Sequence, residues 1–257
     1  VPAGDPPEQP GFGGFRARFK IYSYGIVSVA LTRPFSGGWD ALVEAGWRLI
    51  EGERLADRAE TACQQLARRL DPVMSRPRTA FTLSEDYIVF ALTRLEPPLA
   101  ADDLLQQHGN DIARLLRGER APLSPQERDE ALRHRISYLA DDLVIPTWNA
   151  ALVVDTEAGA QAAIEIFEFA NSQLLEFRYY DALLDSELTR IYDDLQRHRP
   201  LWRLGRHHIR AANQLHALFV DVSELTDRTE NALKMVGDVY AARLYAMTAA
   251  RLGLGAW

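Results

Sequence analysis

Residues 156–195, TEAGAQAAIEIFEFANSQLLEFRYYDALLDSELTRIYDDL, decide how the second half of this chain is read. Stepping alternately by four and three from Ala163 reaches Phe167, Ala170, Leu174, Phe177, Asp181, Leu184, Leu188, Ile191 and Leu195, a heptad seam in which only Asp181 is polar. Thr156 follows an apolar run and can serve as N-cap, and no proline intervenes before His198. A helix of about 42 residues, roughly 60 Å long, is therefore expected. Pro200 lacks a backbone donor and disfavours helical geometry at Arg199, so the helix should stop near His198. A second seam then starts in another phase, running from Leu204 through His208, Ala211, Leu215, Leu218, Val222, Leu225, Thr229, Ala232 and Val236 to Val239, and shifting toward Tyr240, Leu244 and Met247. The change of phase at the proline favours a turn. Residues 156–257 are accordingly read as a long antiparallel coiled-coil hairpin, with Leu195 facing Leu204 and Asp181 facing Leu218. Two core helices of a bundle share this pattern, and the hairpin is the preferred reading.

Toward the N-terminus the periodicity changes. Residues 1–15 are rich in proline and glycine and read as a flexible leader. Residues 16–31, RARFKIYSYGIVSVAL, are dense in β-branched and aromatic side chains and predict a strand, with Gly25 marking a bulge or a close approach. Helical spacing follows from Trp39 to Leu70, where Asp71-Pro72 ends it. Thr79–Leu83 and Tyr87–Leu95 predict two strands joined as a hairpin at Ser84-Glu85-Asp86. A helix from Ala100 to Leu116 should end at Gly118, and Ser124-Pro125-Gln126-Glu127 offers a capping box with proline at the first helical position. Arg135–Leu139, Leu143–Ile145 and Ala150–Val154 complete the strands. This order predicts an α+β domain over residues 16–155, with helices on a mixed or antiparallel sheet, followed by the helical hairpin.

Composition narrows function more than it defines it. The 257 residues are 47% hydrophobic, enough for a sizeable core, and the net charge of −7 argues against a nucleic-acid partner, since phosphate neutralisation requires a basic face. Of the 29 basic residues only Lys20 and Lys234 are lysine, a bias that reads as a GC-rich genome before it reads as arginine chemistry. Cys63 stands alone, so the chain can form neither an intramolecular disulfide nor a thiolate cluster. No stretch reaches the roughly 18 apolar residues of a membrane span.

The densest polar and aromatic group on the first long helix is Glu176, Arg178, Tyr179, Tyr180, Asp181, Asp185 and Glu187. Within it Arg178, Tyr179, Tyr180, Asp181 and Asp185 form the candidate interaction or register cluster, Arg178 pairing with Asp181 at i+3 so that the acid can sit on the seam. His207 and His208 project about 100° apart on a helix and chelate poorly, while Glu165 and Glu168 lack the Glu-x-x-His companion of di-iron bundles. There is no Gly-x-Ser-x-Gly and no phosphate-binding glycine loop. No catalytic residue, metal ligand or cofactor is therefore assigned.

The segments FKIYSYGIVSV (19–29), SEDYIVFAL (84–92), LLEFRYYDALLDSELTRIYDDL (174–195) and DVSELTDRTENALKMVGDVY (221–240) resemble bacterial relatives of the required-for-meiotic-nuclear-division 1 family. In that family a hydrophobic segment follows the helical region, and eukaryotic members support translation at the mitochondrial inner membrane. The resemblance implies a membrane-tethered scaffold on the cytoplasmic face, forming homo-oligomers through its helices, with Trp257 standing just before a membrane anchor. A likeness of layout alone links the chain to the cytosolic part of CorA-type magnesium transporters, although the Gly-Met-Asn pore motif does not occur here. Three readings follow: a non-enzymatic scaffold or interaction protein, which is preferred, a regulatory domain of a divalent-cation transporter, and an enzyme with a dispersed site in the α+β domain.

Overall fold

A computed structural model describes residues 14–51, 55–73, 83–196 and 239–254. Within them the chain is α+β, with two small sheets and six helices. The centre is β5 (Ala150–Val154), whose five residues AALVV are all buried. A strand covered on both faces needs a continuous apolar run, and this one has it. It pairs in parallel with β3 (Ile88–Leu92) and antiparallel with β4 (Leu143–Pro146), giving a mixed sheet of order β3-β5-β4.

Alternation along the strands sorts two cores. Ala150, Leu152 and Val154, with Phe90, Leu143 and Ile145, face a layer made by α1 (Trp39–Glu51), α3 (Ala101–Arg117) and α4 (Pro125–Ala131). Ala151, Val153 and Val144 face the opposite layer, made by α5 (Glu157–Gln196) and α6 (Val239–Arg251). Packing in the first layer is close. A Cβ at Gly46 of α1 would lie 2.5 Å from Leu115 Cδ1 and 3.1 Å from Phe90 Cζ, so only glycine lets α1 approach α3 and the sheet this nearly.

Local chemistry sets the helix ends. Ser124 accepts the Glu127 N–H at 3.2 Å with Pro125 at the first helical position, and Thr156 accepts the Gly159 N–H at 3.2 Å, so both expected N-caps are present. Gly118 closes α3 in the left-handed region, at φ 66°.

Several expectations are corrected. The run 16–31 is two strands, β1 (Arg16–Ile21) and β2 (Val27–Thr32), paired antiparallel around a turn in which Gly25 takes φ 93°. Tyr22 and Tyr24 are strand-type residues, yet they sit at this turn, where their rings stack 5.0 Å apart, Tyr22 lying on Phe169 of α5 and Tyr24 bonding to Ser172. The helical spacing of 39–70 belongs to two helices, α1 and α2 (Leu55–Leu70), the latter followed by a 3-10 turn at Asp71–Val73. Along α2 the stripe Leu55, Ala59, Ala62, Cys63, Leu66 and Leu70 is only half-buried. The strand expected over Tyr87–Leu95 is Ile88–Leu92, and its partner is β5; of its expected hairpin mate, residues 79–82 lie outside the described residues and Leu83 is in no strand. Arg135–Leu139 contributes a single bridge, Ile136 to Val144. The Asp142 carboxylate takes up the N–H groups of Tyr138 (2.7 Å) and Leu139 (2.6 Å), satisfying that backbone locally and leaving nothing for a ladder.

The long helix is described for 40 residues. Its partner in the expected hairpin, from Leu204 to Val236, and the turn at Pro200 lie outside the described residues. No described helix is long and apolar enough to cross a membrane.

Candidate functional site

Along α5 the buried line begins on the expected seam with Ala163, Phe167 and Ala170, then moves one position, to Gln173, Glu176 and Tyr180. Asp181 is exposed, as is Asp185. The seam therefore carries its polar residues at Gln173 and Glu176, and Asp181 is not its polar interruption. The stripe shifts because the inner half of α5 packs on a sheet and a second helix rather than on one coiled-coil partner, so nothing holds it to a strict seven-residue repeat. Arg178, expected to pair with Asp181, instead forms an ion pair with Glu85 in the segment before β3, whose carbonyl also lies 3.4 Å from Asn171 Nδ2. Tyr180 is buried with Tyr179 edge-on to it at 6.0 Å. The five residues of the candidate cluster thus do not form one site: Arg178 fastens α5 to the segment before β3, Tyr180 is buried, and Asp181 and Asp185 face solvent.

A denser polar group lies two turns earlier. Glu168 accepts Ser28 Oγ at 2.7 Å and Arg18 Nη2 at 2.9 Å, with Lys20 Nζ at 3.9 Å, so one nearly buried carboxylate gathers both strands of the β1–β2 hairpin onto α5. Tyr24 Oη lies 2.6 Å from Ser172 Oγ, which itself donates to the Phe169 carbonyl at 2.7 Å. The serine proton being used there, Tyr24 is the donor. Tyr245 of α6 donates to Gln173 Oε1. Hairpin, α5 and α6 are therefore joined by hydrogen bonds in which Arg18, Ser28, Tyr24 and Tyr245 are the donors.

Burial pushes the phenols of Tyr22, Tyr24 and Tyr87 above their ordinary value of 10.0, with Glu168 adding to the effect at Tyr22. Tyr87 Oη needs its proton, donating to the carbonyls of Ala150 (2.8 Å) and Thr147 (3.0 Å). An unfolded tyrosine ionises near 10.0 while the folded one holds its proton higher, so this contribution is intact below pH 10 and is lost as pH rises above it. Urea melts at pH 8, 10 and 11 are expected to show stability falling above pH 10, less steeply in Tyr87→Phe. A pH-independent stability would contradict this.

The Cys63 thiol is raised by burial, away from the reactive thiolate. Among the described residues no three His, Cys, Asp or Glu side chains come together as a metal site.

Two concavities adjoin one another beside α3. One, of about 550 Å³, runs past Asp102, Gln106 and Asn110 toward Arg128 of α4. The other, of about 460 Å³, shares Asp102, Leu105 and Arg135 with it and is lined by the loop after Arg135 and by Arg243 of α6. That loop is held firmly: besides the two bonds to Asp142, Ser137 Oγ lies 2.7 and 2.6 Å from the carbonyls of Leu139 and Asp142. Neither Glu168's role nor this groove was visible as a motif, because each joins side chains from elements far apart in the chain. The one available signal was the pair of short polar residues Ser137 and Asp142 around the break between two expected strands.

No solved structure matches the chain. It is similar to the uncharacterized protein MJ0711 of Methanocaldococcus jannaschii, 25% identical over 163 residues that cover 63% of this chain and 48% of the relative. The chain thus spans about half the length of the curated relative it matches. Residues 12–161, from the β1–β2 hairpin through the sheet to the first turns of α5, match the family described as the N-terminal domain of uncharacterized protein MJ0711, and the chain belongs to that family.

Proposed function

We propose that this protein is a non-enzymatic interaction module, a layered α+β domain that assembles with further copies of itself through the outer part of α5. The observation that carries the reading is the change in α5 at Tyr180. Up to that residue the helix is fastened to sheet, hairpin and α6; beyond it none of the α5 side chains that the structure describes is buried, and Leu188 and Tyr192 are 43% and 64% exposed. Residues 181–196 extend about 24 Å at 1.5 Å per residue. Apolar side chains repeated along such an arm suit association with another helix. The resemblance to the required-for-meiotic-nuclear-division 1 family adds a membrane tether and a cytoplasmic-face location as further parts of the proposal.

Sedimentation and light scattering of the wild-type chain and of a Leu188→Glu, Tyr192→Glu variant test it. Concentration-dependent self-association at micromolar protein is expected for the wild type, with the variant monomeric and its melting temperature unchanged, since exposed positions contribute little to folding. A wild-type monomer at high micromolar concentration, or a variant that associates like the wild type, would count decisively against it.

A further inference from the structure

We infer that the groove beside α3 binds a small organic anion, its phosphate or carboxylate held between Arg135 and Arg243 and its body laid along α3. The two arginines come from different elements, a loop after α4 and the helix α6, yet line the same cavity. Arg135 spends one N–H on the Leu132 carbonyl at 2.9 Å, leaving the rest of its guanidinium available, and Arg243 has no ion pair among the described residues. Farther along, Arg128 is already matched by Asp129, its Nε and Nη2 donating to Oδ1 at 3.0 and 2.8 Å. Against Asp102, the inner cavity therefore keeps an excess of one positive charge, placed on two forks suited to an oxyanion.

The remainder of the lining indicates an organic ligand rather than a bare ion. Leu105, Leu139 and Ala140 supply apolar contact, while Asp102, Gln106 and Asn110 recur every four residues along one face of α3, about 12 Å from first to last. Such a row offers acceptors and amide donors to hydroxyl or amino groups on the ligand body. The cavity size lies in the range of small-molecule sites, and the hydrogen-bonded loop from Ser137 to Asp142 fixes one wall before a ligand arrives.

Isothermal titration calorimetry at low ionic strength, with citrate, adenosine monophosphate, inorganic phosphate and uncharged adenosine as probes, tests the inference without depending on self-association. Saturable binding is expected for citrate or adenosine monophosphate, weaker binding for inorganic phosphate, and none for adenosine. The two organic probes distinguish a carboxylate from a phosphate ligand. Arg243→Ala and Arg135→Ala should each weaken binding about tenfold or more, whereas Arg133→Ala, paired with Glu130 away from the groove, should not. Because Arg243 is exposed on α6, its variant keeps the test valid if Arg135→Ala folds poorly. Failure of every charged probe to saturate, affinity unaffected by Arg243→Ala, or inorganic phosphate binding as tightly as the organic probes would each overturn it.

Discussion

Phe167→Ala is expected to lower the free energy of unfolding by about 3–5 kcal/mol, the range for emptying a large aromatic site. Phe167 is 1% exposed and stacks on Tyr87 with ring centroids 5.4 Å apart. Its surroundings limit how far the site can close. Ala151, Ala160 and Ala163 share its core, and alanines have no side chain that could swing into the space. Leu244 and Met247, from the same core, are the side chains that could move to fill part of it, and how far they do so sets where in the range the loss falls. Guanidinium denaturation would read the loss directly, and for a chain of this size a melting temperature about 10 °C lower is expected. A change below about 1.5 kcal/mol would mean that α5 is not packed on the sheet as described.

Leu152→Ala should cost about 2–5 kcal/mol by the opposite route. Leu152 lies at the middle of β5, opposite Phe90 on one neighbour and Ile145 on the other, and these three make a row on the face that meets α1, α3 and α4. Removing the central member takes contacts from both flanking strands at once. Since Leu152 and Phe167 lie in different cores and share no partner, the double variant should show the two losses adding within about 0.5 kcal/mol. Strong coupling in that cycle would indicate a sheet that yields as one body instead of separating two cores.

What could be read in advance was local. Ser124 and Thr156 announce helix starts because an N-cap is an interaction between residues three apart, and Gly118 announces a helix end through a backbone conformation that it alone adopts cheaply. The apolar run of β5 was legible for a similar reason, since burial on both faces leaves no room for alternation. Pairings between distant segments were not. Nothing in the neighbourhood of Ile88 reveals that it lies beside Ala150, and a proposed hairpin to residues 79–83 was the nearer alternative. The acid at 181 was placed on the buried line by carrying a strict heptad through a helix that packs on a sheet and a second helix, whereas the structure buries Gln173 and Glu176. Arg178 found Glu85, and Glu168 found Arg18 and Ser28, through contacts that no spacing rule encodes.

The parallel alliance of β3 and β5 also bears on how the chain is made. β3 leaves the ribosome with IVFAL exposed on an unpaired edge, and its neighbour is not synthesised until residue 150 follows. In that interval α3 and α4 are completed. Pairing of β3 with β5 must then close a long loop, whose entropy is recovered only when both helical layers have docked. β5 is thus the last strand of this sheet to be synthesised as well as its centre in space.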